Sequence, residues 1–588
     1  MKFLDAPPRF LFFTGKGGVG KTSIACATAI HLGRNGKRVL LVSTDPASNV
    51  GQVFGLTIGN TITAISAVDG LSALEIDPEQ AAEAYRERII GPVRGLLPDA
   101  ELQSISEQLS GSCTTEIASF NEFTGLLTDS NGSTDLFDHV LFDTAPTGHT
   151  IRLLQLPGSW TDFLTAGKGD ASCLGPLSGL DKQRAIYAEA VAALADPQRT
   201  RLVLVARAQK STLAEITRTH RELAAIGLSH QYVVINGVLP ALAGADDPLA
   251  AAVYEREQRA IAALPDEIRT LPMDQIDLKA TNVVGLDALG ALFTHEANPP
   301  EDHDQLDLQV LNAPLADLVD ELAAQDHGLI MCMGKGGVGK TTIAAAIAVA
   351  LADRGHPVHL TTTDPAGHLS DMLNGTLENL HVSSIDPGEA TRAYRDHVLA
   401  TKGAALDEQG RSMLEEDLRS PCTEEVAVFQ AFSRVIGESR QKFVVVDTAP
   451  TGHTLLLLDA TGSYHREVAR QLGNRQFTTP LMRLQDPQLT KVIIVTLAET
   501  TPVLEAAGLE RELVRAQIQP WAWVVNNSLA AARPTAPLLR RRAAAELPEI
   551  AKVRGEYADR IAVVPLLAAE PVGIPALEAL TEPRITGR

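Results

Sequence analysis

The chain has 588 residues, beyond the size at which a single hydrophobic core stops growing, so two or more domains are expected. Its composition, 45% hydrophobic and 21% charged, is that of a folded globular protein, and 51 basic against 72 acidic residues leave a net charge of −21. That balance counts against broad nucleic-acid or anionic-membrane binding. The longest apolar runs, such as 343–352, are too short to span a bilayer. Residues 1–8 carry an Asp and two prolines and no apolar leader, so a cytoplasmic location is expected.

The first elements in chain order are an apolar strand at 10–13 and a helix at 23–32. Between them lies Gly15-Lys16-Gly17-Gly18-Val19-Gly20-Lys21-Thr22, which fits the phosphate-cradling pattern G-x-x-x-x-G-K-[ST]. Its glycines let the backbone curl so that several N–H groups and the positive end of the helix face a polyphosphate. Lys21 is placed to reach the β/γ-phosphates, and the Thr22 hydroxyl to ligate Mg²⁺. Ser23, next on the helix, belongs to the same set.

A strand at 39–43 ends in Thr44-Asp45-Pro46, which puts Asp45 at the carboxyl end of an α/β sheet, where ligands bind. A carboxylate there can orient the attacking water beside the metal; the plain alternative is a turn-forming Asp-Pro. Residues 75–130 read mainly as helix and include Ser110-Gly111-Ser112-Cys113-Thr114-Thr115-Glu116 at the start of an apolar-periodic run. A cysteine at a helix N-terminus has its thiolate stabilised, which suits a nucleophile or a soft-metal ligand. The strand at 140–142 runs into Asp143-Thr144-Ala145-Pro146-Thr147-Gly148-His149, with Asp143 expected near Mg²⁺ and the loop beyond able to respond to loss of the γ-phosphate. Strands at 202–206 and 232–235 follow, then a stretch at 296–325 that reads as linker from its prolines and acidic residues.

Everything then recurs. Strands are expected at 329–333, 358–362, 443–446, 492–496 and 523–525. Gly334-Lys335-Gly336-Gly337-Val338-Gly339-Lys340-Thr341, followed by Thr342, repeats the loop, and Asp364 repeats Asp45; both Lys16 to Lys335 and Asp45 to Asp364 span 319 residues. Cys422 in Ser420-Pro421-Cys422 repeats Cys113, while Asp447 and His453 repeat Asp143 and His149 at an offset of 304. The chain therefore reads as a duplicated domain, 1–295 and 326–588, each half a mostly parallel, doubly wound α/β sheet with a helical subdomain. If the halves pair with pseudo-twofold symmetry, Cys113 and Cys422 could converge on a shared site. Cys26 and Cys332 read better as small buried hydrophobes, and the five scattered cysteines form neither a disulfide framework nor a C-x-x-C zinc pair.

The extra lysine one residue after the first glycine of each loop, the fused pair, the two Asp-Thr-Ala-Pro-Thr-Gly-His stretches and the cysteine placement closely resemble one family. It is the ArsA family, the ATPases of arsenite/antimonite efflux pumps, within the variant phosphate-loop ATPases. The resemblance spans essentially the whole chain. It implies ATP and Mg²⁺ as ligands, with Lys16 and Lys335 each reaching the nucleotide of the other half. It implies that As(III) or Sb(III) is held by Cys113, Cys173 and Cys422 with His149, His453 and Ser420 flanking, which suits a thiophilic ion. Asn236 and Asn526 match adenine-contacting asparagines. A membrane channel or antiporter subunit and an arsenic metallochaperone are the implied partners of a monomer that acts as a pseudo-dimer, docked at the inner face of the plasma membrane.

Three rivals fit less well. A tail-anchored-protein targeting ATPase resembles a homodimer with a C-x-x-C clasp and a Met-rich groove, whereas this chain is fused, lacks that motif and has 7 Met. An iron–sulfur reductase needs two matching thiols per half. A scaffold for DNA or septum positioning needs a basic or amphipathic attachment surface.

Overall fold

Successive side chains of a strand point to opposite faces, and the first strand shows the consequence. In β1 (Phe10–Thr14) Phe10 and Phe12 enter one buried cluster, and Leu11 and Phe13 enter another on the opposite face. A sheet with both faces covered needs apolar residues at every position, and all five residues of β1 are buried. The structure, a computed structural model, describes residues 1–44, 50–94, 98, 102, 109, 112–128, 134–144, 180–241, 247–294, 312–364, 369–418, 421–449 and 479–582. Two compact units emerge: Met1–Ala243 with Val253–Pro299, and Gly244–Ala252 with Pro300–Arg588.

The first unit is built on eight strands. After β1 come β2 (Val39–Ser43), β3 (Thr63–Ala64), β4 (Leu71–Glu75), β5 (His139–Asp143), β6 (Thr200–Ala206), β7 (Gln231–Val238) and β8 (Met273–Asp277). Their order is β3-β4-β2-β5-β1-β6-β7-β8, parallel throughout except for the β3–β4 pair. The register sets Phe12 beside Phe142, whose rings stack at 4.4 Å between centroids. Phe123 of the helix Ser112–Thr128 closes edge-on over both. That helix also packs on the helix Pro78–Ile90, where Ala81, Ala82 and Tyr85 meet Ala118.

The second unit repeats the plan with seven strands: β9 (Gly328–Met333), β10 (Val358–Thr362), β11 (Leu380–Ser384), β12 (Phe443–Asp447), β13 (Thr490–Leu497), β14 (Pro520–Ser528) and β15 (Ile561–Pro565). Their order is β11-β10-β12-β9-β13-β14-β15, all parallel. The helix Lys340–Asp353 carries almost no polar side chain beyond its first turn and is buried nearly all round, as its composition demands. Helices Pro387–Thr401, Glu408–Asp417 and Pro421–Gly437 follow β11 in the second unit.

One expectation needs correcting. Part of the stretch read as linker, Leu315–Ala323, is a packed helix: Leu315, Leu318, Val319 and Leu322 recur at helical spacing and are buried in the core of the second unit. Four apolar residues on one face outweigh the polarity between them. Residues 296–311 lie outside those described.

Candidate functional site

Each phosphate loop leaves the carboxyl end of a central strand and enters a helix, Lys21–Arg34 after β1 and Lys340–Asp353 after β9. Sterics explain the glycines at both ends of the loop. A Cβ on Gly15 or Gly334 would run into the carbonyl oxygen of Val205 or Val495 on the neighbouring strand. Gly20 and Gly339 adopt φ of 92° and 91°, in the left-handed region, and a Cβ there would also strike the amide nitrogen of Asn236 or Asn526. Each glycine is the N-cap of its helix and brings no side chain to that end, a place where a helix N-terminus can meet an anion.

Around each loop the same hydrogen bonds recur. Lys21 Nζ donates to the Lys16 carbonyl at 3.2 Å, and Lys340 Nζ to that of Lys335 at 3.0 Å. Thr22 donates to Asp143 Oδ2 at 2.7 Å, and Thr341 to Asp447 Oδ2 at 2.9 Å. Asn236 Nδ2 donates to the Val19 carbonyl and Asn526 Nδ2 to that of Val338, both at 2.9 Å. Thr144 and Thr448, just past the aspartates, donate to the carbonyls of Phe13 and Cys332 at 2.8 Å and tie each strand end to its loop strand.

The second unit shows the electrostatics most fully. Asp447 is 1% exposed, and burial pushes its carboxyl up to about 6, opposed first by the nearby Lys340 ammonium and by the Thr341 hydroxyl. Asp364 adds a second negative charge that raises it further, and Thr362 donates to the same Oδ2 at 3.1 Å. The Asp364 N–H is held by the Thr362 hydroxyl at 3.0 Å. Asp447 Oδ1 is buried with no hydrogen-bond partner among the described residues. A buried carboxylate oxygen left over beside a hydroxyl and a second carboxylate is a donor set for a hard cation. Thr341, Asp447 and Asp364 together are of the kind that fits Mg²⁺.

The structure thus brings together Lys21, Thr22, Asn236 and Asp143 in one unit, and Lys340, Thr341, Asn526, Asp364 and Asp447 in the other. Asp45, His149, Cys173, Ser420 and His453 lie outside the described residues. Cys113 and Cys422 each stand second in a 17-residue helix, Ser112–Thr128 and Pro421–Gly437, but their side chains are not among those described. Cys26 and Cys332 are fully buried, and burial raises both thiols well above the ordinary value. Sequence reasoning missed Thr362, Thr448 and Glu505; the last forms an ion pair with Lys335. Thr362 was visible as the residue two before Asp364, whereas Glu505 carries no local signal.

The family profile described as anion-transporting ATPase matches residues 8–295, 327–484 and 481–584. An arsenical pump-driving ATPase of Escherichia coli is 64% identical over 582 residues, covering 99% of this chain and 100% of the relative. A protein of the same name from Acidiphilium multivorum is also 64% identical over the same shares. The ATPase GET3 of Eremothecium gossypii is 31% identical over 253 residues, which covers 39% of this chain and 72% of that protein.

Proposed function

The chain belongs to the anion-transporting ATPase family, and from that premise we propose that it is the ATP-hydrolysing subunit of an arsenite/antimonite efflux system. ATP hydrolysis itself follows from the family. The observation that carries the reading is duplication: the same buried lysine–threonine–aspartate constellation occurs twice in one chain. That chain is similar from end to end to proteins named arsenical pump-driving ATPases. The rival reading, targeting of tail-anchored membrane proteins, gains no such support over the full length.

In this reading the loops, residues 15–23 and 334–342, hold the phosphates through their N–H groups and through Lys21 and Lys340. Thr22 and Asp143, with their counterparts Thr341 and Asp447, would hold Mg²⁺, which would supply positive charge to offset that of the phosphates. Asp45 and Asp364 orient the attacking water beside them. Lys16 and Lys335 are taken, as the resemblance implies, to serve the nucleotide of the other half. The adenine contact implied for Asn236 and Asn526 is a second job beside their hydrogen bond to the loop. As(III) or Sb(III) is the cargo, bound by Cys113, Cys173 and Cys422 with help from His149, His453 and Ser420; thiolates from both halves suit a soft, three-coordinate ion. The domains are taken as 1–295 and 326–588, the second extended by the packed helix Leu315–Ala323, in a monomer that acts as a pseudo-dimer.

Among the described residues no helix is long and apolar enough to cross a membrane. Transport would therefore need a membrane channel or antiporter subunit, with this chain docked at the cytoplasmic face and a metallochaperone supplying the metalloid. The test is the ATPase rate of the purified chain with and without antimonite. The reading expects stimulation by antimonite at fixed ATP and Mg²⁺; a rate indifferent to antimonite and to arsenite contradicts it.

A further inference from the structure

Glu505 is the sixth residue of the helix Thr500–Arg515, which follows β13, and its carboxylate holds the ammonium of Lys335 in an ion pair. The two side chains are 18% and 8% exposed, lysine first. A pair this far out of water is screened less than a surface pair, and its carboxylate competes directly with phosphate oxygens for the lysine.

The first unit has the same acid with a different partner. Glu215 is the sixth residue of the helix Lys210–Ala225, which follows β6, and it receives Nη2 of Arg218 at 2.8 Å. In the second unit the residue at the place of Arg218 is Gly508, which has no side chain to offer Glu505. No ion pair of Lys16 occurs among the described residues. In one unit the acid is met by an arginine a turn later on its own helix, and in the other, where glycine stands there, it pairs with the lysine of the loop.

We propose that Glu505 is a latch that holds Lys335 away from nucleotide, so that the two loop lysines enter turnover unequal. Lys335 must exchange a carboxylate for phosphate before it can act, whereas Glu215 is neutralised by Arg218. The proposal rests on the reading above that Lys335 serves a nucleotide phosphate. Glu505 is then a positioning residue, acting only through Lys335.

The first test reads the lysine itself. The full-length protein is treated with a limiting amount of an amine-acylating reagent, and modification of Lys16 and Lys335 is followed by mass spectrometry. Lys335 is expected to react more slowly than Lys16, on the order of 5- to 30-fold, the factor that one or two kcal/mol carries. Glu505→Gln and Gly508→Arg should each bring Lys335 up towards the rate of Lys16. The second variant keeps the carboxylate and supplies the missing arginine at a place where the nearest atom to an added Cβ is 3.9 Å away, so it covers the case in which Glu505→Gln fails to fold. Equal labelling in the unaltered protein, or protection that survives in both variants, overturns the latch.

The second test reads the consequence. Either variant should raise unstimulated ATP turnover several-fold, and the gain should vanish when Lys335→Ala is added. An equal gain without Lys335 overturns the proposal. Wild-type turnover in Lys335→Ala alone contradicts the nucleotide role of the lysine, which the acylation contrast does not depend on, so the two failures are distinguishable.

Discussion

Asn526→Ala removes one hydrogen bond, from Nδ2 to the Val338 carbonyl at 2.9 Å, at a residue 4% exposed. The carbonyl that loses its donor lies on the phosphate loop, and an unsatisfied buried polar group costs about 1–3 kcal/mol. If the loop relaxes to recover a partner, it leaves the shape that cradles phosphate, so the cost reappears in ligand binding. At about 1.4 kcal/mol per tenfold, the expected loss of affinity is roughly 5- to 150-fold. The assay is calorimetric binding of ATP and of tripolyphosphate, each with Mg²⁺, to the native chain, Asn526→Ala and Asn236→Ala. Tripolyphosphate has no base, so its loss reports the loop alone, and any additional loss for ATP measures the adenine contact. Unchanged tripolyphosphate affinity in both variants would refute the reasoning.

Lys21→Ala or Lys340→Ala alone should remove most of the metalloid-stimulated ATPase, because residues acting as a unit are non-additive; a variant that keeps about half the rate contradicts this. Asp364→Asn should leave nucleotide binding nearly intact and slow hydrolysis by roughly 10²–10⁴-fold, and loss of binding with normal turnover per bound nucleotide would make it a binding group instead. His359 on β10 is held below the ordinary histidine value by burial, against the pull of Glu438 at 2.9 Å, with His381 and Lys442 also disfavouring its charged form. A depressed histidine takes up its proton first in the unfolded chain, so stability present above pH 6.5 is lost as pH falls below it. Urea unfolding of the full chain across that range should show this fall flattened in His359→Gln, and an unaltered slope would exclude His359 as its cause.

How much was legible follows from where each signal sits. All ten strands expected from apolar runs occur, some longer by a few residues, because buried parallel strands leave continuous hydrophobic stretches. Five strands went unread: Thr63–Ala64, Met273–Asp277, Leu380–Ser384 and Ile561–Pro565 at sheet edges, and Leu71–Glu75 next to one. The phosphate loops were readable because their chemistry is contiguous. Asp143 and Asp447 were readable because each ends an apolar strand, and the register of β5 and β12 beside β1 and β9 is what delivers them to the loop threonines. Glu505 could not be read, since its pairing with Lys335 joins residues 170 apart that only the β9–β13 neighbourhood brings together. The asparagines were noticed through the resemblance, but their hold on the loop carbonyls is a tertiary contact that no strand-end pattern encodes.

The measurement that bears most directly on the central claim is ATPase rate against antimonite concentration for the five single Cys→Ser variants and the Cys113→Ser, Cys422→Ser double variant. Cys26 and Cys332 are buried thiols far from ionising at neutral pH, so their replacement should leave stimulation intact. Cys113→Ser and Cys422→Ser should each abolish stimulation while sparing slow basal turnover, because the harder serine oxygen is a poor ligand for a soft metalloid. Full stimulation in the double variant would contradict the account.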